Sequence, residues 1–243
     1  MTKVSTLLYG KNSVLQRLKR NPKSMHKIFL DDHFDDAYIL TIATRKKIPI
    51  VRLSRNEFLR VKRADCLQGI IAEVDKYSYV PFKELLVDSQ DKKLSLIFLD
   101  SISDPQNLGS IIRTAACFGD FAVVLPRHDA CEVNDTVLHV ASGGENFVPV
   151  SIVSNLSSAL IQAKKAGYWI VGTVVEDGQD LSKTLLPFPL CIVLGSENKG
   201  IRKGLHNQLD LKISLFIKGA SLSFNVAVAC AIFCYEINKQ KSK

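Results

Sequence analysis

Short apolar runs alternate with amphipathic stretches along the whole chain, and the pattern changes character once. In residues 1–76 the spacing predicts helices over 13–20, 35–46 and 55–63, the last with one basic and one apolar face. It predicts strands over 27–30, 48–53 and 69–74. Residues 77–93 are weakly patterned, contain Pro81 and end in a charged cluster; they read as a linker with a short helix in its middle. From residue 94 the strands become continuously apolar, over 94–100, 121–125, 147–153, 168–174, 190–194 and 211–217. Helical patterns follow at 107–117, 133–140, 155–166, after Gly200, and over 223–239. Apolar strands alternating with helices predict an α/β fold with a mostly parallel sheet covered on both faces. The expected division is a small α/β unit over 1–76, the linker over 77–93, and a larger α/β unit over 94–243.

Composition narrows the class. Of 243 residues, 47% are hydrophobic and 23% charged, within the globular range, which excludes a disordered or collagen-like chain. No apolar run reaches the roughly 18 residues of a membrane span, and the N-terminus lacks a signal-peptide layout, so a cytoplasmic protein without membrane contact is expected. The six cysteines form no CxxC and no zinc-type Cys/His spacing. They read as reduced thiols, and no metal site is expected. Charge is more informative. The net charge is +8, and residues 1–76 hold 16 Lys/Arg against 8 Asp/Glu, so the entire excess lies there. A basic module beside a neutral one suits a polyanion held by counterion release, with RNA the expected partner. A basic face that keeps the protein soluble is the competing explanation.

Three segments of the second unit carry candidate chemistry, each where a strand passes through a loop into a helix. Open α/β sheets bind ligands at such ends. In residues 104–115 (DPQNLGSIIRTA), Asp104-Pro105 sets a turn, Asn107 can cap the helix or bind a ligand, and Gly109 admits a close neighbour. Arg113 lies among apolar residues and must find an anion or a partner carboxylate. In residues 195–200 (GSENKG) two glycines stand five apart around Glu197, which suits an amine, a hydroxyl or an arginine better than a phosphate. The GK[ST] ending of a phosphate loop is absent. In residues 213–229, Ser223 suits a helix N-cap, and Asn225 stands polar among apolar neighbours.

In this order the three segments resemble the signature motifs of the SpoU (TrmH-type) RNA 2′-O-ribose methyltransferases, approximately DPxNxGxxxRTA, GxExxG and IPMxGxxxSLNVxxA. The resemblance covers nearly the whole chain. The basic first unit is similar to the ribosomal-protein-like RNA-binding domain that many members carry. The layout, with 141–145 (ASGGE) and 148–150 (VPV), is most like the bacterial branch that methylates guanosine in 23S rRNA. The resemblance implies a C-terminal SPOUT-type trefoil knot, an S-adenosylmethionine cofactor and a homodimer whose site is completed near the subunit interface. It implies that the cofactor lies against Gly195, Leu215, Ile217 and Phe224 with Thr173 nearby. It makes Arg113 the residue that activates the ribose hydroxyl, with Asn107, Glu197, Ser223 and Asn225 positioning the reactants.

The sequence departs from the pattern in three places. Residues 215–217 (LFI) replace Ile-Pro-Met, Phe224 replaces Leu, and Cys66-Leu67-Gln68-Gly69 stands where a histidine is common. A tRNA ribose methyltransferase and a non-catalytic RNA-binding assembly factor are the alternatives. A dinucleotide-binding enzyme is disfavoured, because no GxGxxG follows strand 94–100.

Overall fold

The computed structural model describes residues 5–92, 94–197, 199–220 and 222–241. Asn198 and Ser221, in the second and third motif segments, lie outside the described residues. The described chain builds two sheets. The first has the order β1-β4-β2-β3, from β1 (Ser5–Tyr9), β2 (Met25–Asp31), β3 (Ile50–Leu53) and β4 (Ile70–Asp75). Only β2 and β3 are parallel; β4 runs antiparallel to β1 and β2. Helices α1 (Lys11–Arg20), α2 (Ala37–Arg45) and α3 (Arg55–Val61) accompany it. Strand β1 has no counterpart in the sequence reading, because STLLY is too short to show a period.

The second sheet is parallel throughout, in the order β7-β6-β5-β10-β8-β11-β9. Its strands are β5 (Ser95–Asp100), β6 (Phe121–Pro126), β7 (Val150–Val153), β8 (Trp169–Thr173), β9 (Gln179–Asp180), β10 (Leu190–Gly195) and β11 (Leu211–Ser214). Strands β5 and β6 are buried along their whole length, which is why they read as unbroken apolar runs. Alternate residues serve opposite layers. Ile97 and Leu99 pack with α5 (Pro105–Phe118), α6 (Asp135–Ala141) and α9 (Val226–Lys241). Leu96 and Phe98 pack with α4 (Phe82–Lys92), α7 (Leu156–Lys165) and Leu205 of α8 (Lys203–His206).

Two expected strands are shorter than their apolar runs. The 147–153 run begins pairing only at Val150, since Pro149 has no N–H to donate. The 211–217 run stops at Ser214, and Leu215 onward becomes loop. Residues 77–85 of the expected linker are firmly attached: the Tyr77 hydroxyl contacts the backbone of Val148 and Val150, that of Tyr79 accepts from the Val133 N–H, and Phe82 and Leu85 are buried under the second sheet. The first core extends across to α6, whose Leu138 it shares. Among the described residues no helix is long and apolar enough to cross a membrane.

Candidate active site

The sheet order reverses between β5 and β10, and the neighbouring carboxyl ends of β8, β10 and β11 open there. The two glycines after β10 have separate reasons. A Cβ on Gly195 would sit 2.1 Å from the Gly200 carbonyl carbon, so the loop can close only on a residue without a side chain. Gly200 has φ +63°, and its N–H donates to Ser196 O at 2.7 Å. The loop is then pinned to β5. Asp100, fully buried, is ion-paired with Arg202 Nε at 2.7 Å and accepts from the Arg202 backbone N–H at 2.8 Å. Sequence reasoning passed over this pair, although an acid ending an apolar strand signals a buried partner.

This loop presents Glu197 to the other two motif segments. Glu197 Oε1 accepts from Asn225 Nδ2 at 2.6 Å, from the Val226 N–H at 3.2 Å and from Asn107 Nδ2 at 3.5 Å. Asn225 Nδ2 also donates to Asn107 Oδ1 at 2.9 Å. Three side chains up to 118 residues apart thus form one polar cluster. Asn107 is available for it because Asp104 caps α5, accepting from the Gln106 N–H at 2.9 Å, with Pro105 in the first turn. The N-cap expected at Ser223 is corrected: α9 begins at Val226, and Asn225 Oδ1 accepts from the N–H groups of Ala227 and Val228 at 2.9 and 3.3 Å. Asn225 is a stronger cap than Ser223 here because its amide group satisfies the helix and the cluster together.

Beside the cluster lies a cavity lined by Thr173, Gly195, Glu197, Leu215, Ile217, Ser223 and Phe224, with Leu194, Val226 and Phe233 behind them. The sequence reading had named the first seven of these. Thr173 is fixed by its hydroxyl donating to Val193 O at 3.1 Å. Phe216, the residue that replaces proline, is 73% exposed and does not line the cavity.

Arg113 is placed elsewhere. Six residues after Asn107, it is turned about 120° around α5 from it, at about 100° per residue. It shares a face instead with Gln106, seven residues earlier, and both line a separate cleft between α5 and the first sheet. The partner carboxylate allowed for Arg113 is not found: it is exposed and makes no ion pair among the described residues. The α5–α6 contact that sets these faces is tight. A Cβ on Gly109 would lie 2.6 Å from Val140 Cβ and 2.9 Å from Val137 O.

Residues 95–235 match the SpoU rRNA Methylase family, and residues 7–80 match RNA 2'-O ribose methyltransferase substrate binding. The 23S rRNA (guanosine-2'-O-)-methyltransferase RlmB of Nitrosomonas europaea is 31% identical, over 98% of this chain and 93% of that protein. Its namesake from Coxiella burnetii is 32% identical, over 99% and 98%. The crystal structure of the SpoU methyltransferase AviRb from Streptomyces viridochromogenes with AdoMet shares the fold, at TM-score 0.78 and 18% identity, over 98% of this chain and 91% of that one. The chain belongs to the SpoU rRNA methylase family. It is an S-adenosylmethionine-dependent RNA methyltransferase by that membership. The cavity suits this cofactor chemically: apolar walls from Leu215, Ile217 and Phe224 match an adenosine, and the Glu197 carboxylate at the rim matches a cationic sulfonium.

Proposed function

We propose that the protein methylates the ribose 2′-hydroxyl of a guanosine in 23S rRNA. The observation that carries this reading is the Asn107–Glu197–Asn225 cluster, which ties all three motif segments together at the rim of one cavity. The guanosine and the 23S rRNA are taken from the RlmB relatives. In this reading residues 1–76 hold RNA, 77–93 join the units and 94–243 carry the chemistry, in the cytoplasm. The insertion of β10 between β5 and β8, with the close-packed loop after it, supports a trefoil knot.

Bound S-adenosylmethionine supplies an electrophilic methyl group. Leu215, Ile217, Phe224 and the backbone around Thr173 and Gly195 would hold the cofactor. Because the cavity encloses only about 120 Å³, against roughly 300–1,000 Å³ for ligand sites in general, the exposed side chains of Ile217 and Phe224 would have to give way to admit it. Glu197, Ser223, Asn107 and Asn225 orient the donor and the ribose. The Arg113 guanidinium stabilises the developing alkoxide and steers the adjoining phosphate. Within one chain Arg113 and the Glu197 cluster occupy different sides of α5. We therefore assign completion of the site to a homodimer, supported by the exposed apolar residues Phe216, Leu222 and Phe224 before α9 and Val228 and Tyr235 on it.

The test is incubation of 23S rRNA from cells lacking the protein with methyl-labelled cofactor, then digestion to nucleosides. Label in 2′-O-methylguanosine is expected, and label in a base would refute the chemistry. Arg113→Ala should abolish turnover while calorimetric cofactor binding persists.

A further inference from the structure

The cleft that takes Arg113 has a cavity volume of about 610 Å³, within the range of small-ligand sites. One wall is α5 and α6, with Gln106, Arg113 and His139; the other is the first unit, with Tyr9, Cys66 and Gln68. That second wall is held in an uncommon conformation. Cys66, Gln68 and Gly69 have φ of 58°, 55° and 72°, so two non-glycine residues stand in the left-handed region within four positions. Such conformations persist where surrounding contacts impose them, and they gather at functional sites. Here Ile70 N–H donates to Leu67 O at 3.2 Å, Asp31 N–H donates to Gly69 O at 3.0 Å, and Leu67 is buried.

The result is a fixed amide. Gln68 Oε1 accepts from the Lys11 backbone N–H at 2.7 Å, which leaves its Nε2 as a donor at the cleft. The opposite wall is equally fixed. His139 stacks on Tyr9 at 4.2 Å and 11°, and its Nδ1 donates to Tyr9 O at 3.1 Å. Lys62, over the Tyr9 ring, is paired with Asp135 at the start of α6. A cation that makes no ion pair among the described residues, an oriented amide donor and two locked walls describe a preorganised polar pocket, not a hinge gap.

We propose that this cleft seats the target nucleotide as an unstacked residue of single-stranded RNA, with Arg113 on its phosphate and Gln68 Nε2 donating to an acceptor on its base. This rests on the methyltransferase reading and adds the base-reading residue to it. Guanine offers such acceptors at O6 and N7, and single-stranded RNA is the form in which splayed bases are read. Gln68 is a specificity residue here, remote from the methyl-donor cavity.

Gln68→Glu tests it, because the carboxylate still accepts from Lys11 but has no donor for the base. With 23S rRNA as substrate, KM should rise about tenfold while kcat, cofactor affinity and melting temperature stay as in the wild type. In the unaltered enzyme, exposed Cys66 should be alkylated by N-ethylmaleimide more slowly with 23S rRNA present, and at an unchanged rate with S-adenosylmethionine alone. An unaltered KM in Gln68→Glu, or Cys66 alkylation indifferent to rRNA, overturns the assignment. A wild-type enzyme that labels no ribose would remove the underlying reading instead.

Discussion

Asn225 satisfies two demands with one amide. Its oxygen caps α9 while its nitrogen donates to Glu197 and Asn107. The two roles separate chemically. Asn225→Asp keeps an oxygen for the helix, which also favours a negative charge at its N-terminus. It loses the donor and sets a second carboxylate against Glu197. We expect turnover to fall at least tenfold while the melting temperature stays within about 1 °C, less than the roughly 2–4 °C that 1 kcal/mol shifts a chain of this size. Asn225→Ala should lose about 1 kcal/mol of helix capping in addition. Melting curves and rates on the two variants distinguish a cap from a site residue. The sequence made Asn225 conspicuous, since a polar residue stood where an apolar helix begins. It did not show which residue was the cap, because Ser223 is an equally good cap by type and only the folded chain decides that the helix starts at Val226.

At the scale of elements, α5 is the hub, since two different faces of it carry Asn107 and Arg113 and its packing on α6 sets both. Gly109 makes that packing possible. Gly109→Ala adds a methyl into space held by Val140 and the Val137 carbonyl, neither of which can yield without moving α6. Overpacking of this kind costs about 1–3 kcal/mol. A lower denaturant midpoint, with reduced turnover although no reacting group has changed, is the expected result. The strands and helices of the second unit were legible because both-face burial makes strands uniformly apolar, and helix faces keep their own period. Strands β1 and β9 were not, being five and two residues long. The order of β5, β10 and β8 also lay beyond sequence reasoning, since an inserted strand has the same composition as an added one. So did the separation of Arg113 from Asn107: spacing placed both on α5, but which neighbours face each side is a property of the assembled unit.

Across the whole molecule, the two sheets are joined by a buried ion pair. Arg17 of α1 and Glu145, just after α6, meet at 3.2 Å, both nearly inaccessible, with Arg17 Nη1 also donating to Ser24 Oγ at 3.2 Å. Burial pushes the Glu145 carboxyl above its ordinary pKa, and Arg17 pulls against that rise without cancelling it. The pair therefore fixes the orientation of the first unit more than it stabilises the fold. Replacing the cation exposes the sign of the effect. In Arg17→Met, Glu145 would be buried without its counter-charge and its pKa would rise further. A group whose folded pKa exceeds its unfolded one favours the native state below the unfolded value. That contribution is lost as pH rises through the folded pKa. Arg17→Met should thus be destabilised by about 3–5 kcal/mol at pH 7.5, and the deficit should shrink toward pH 5 as Glu145 takes up a proton. Urea midpoints of both proteins at the two pH values check this. A deficit of equal size at both would mean that Arg17 contributes by packing and not by charge. If charge governs, the same variant should lose affinity for 23S rRNA at pH 7.5, because both walls of the RNA cleft belong to units that this pair holds in register.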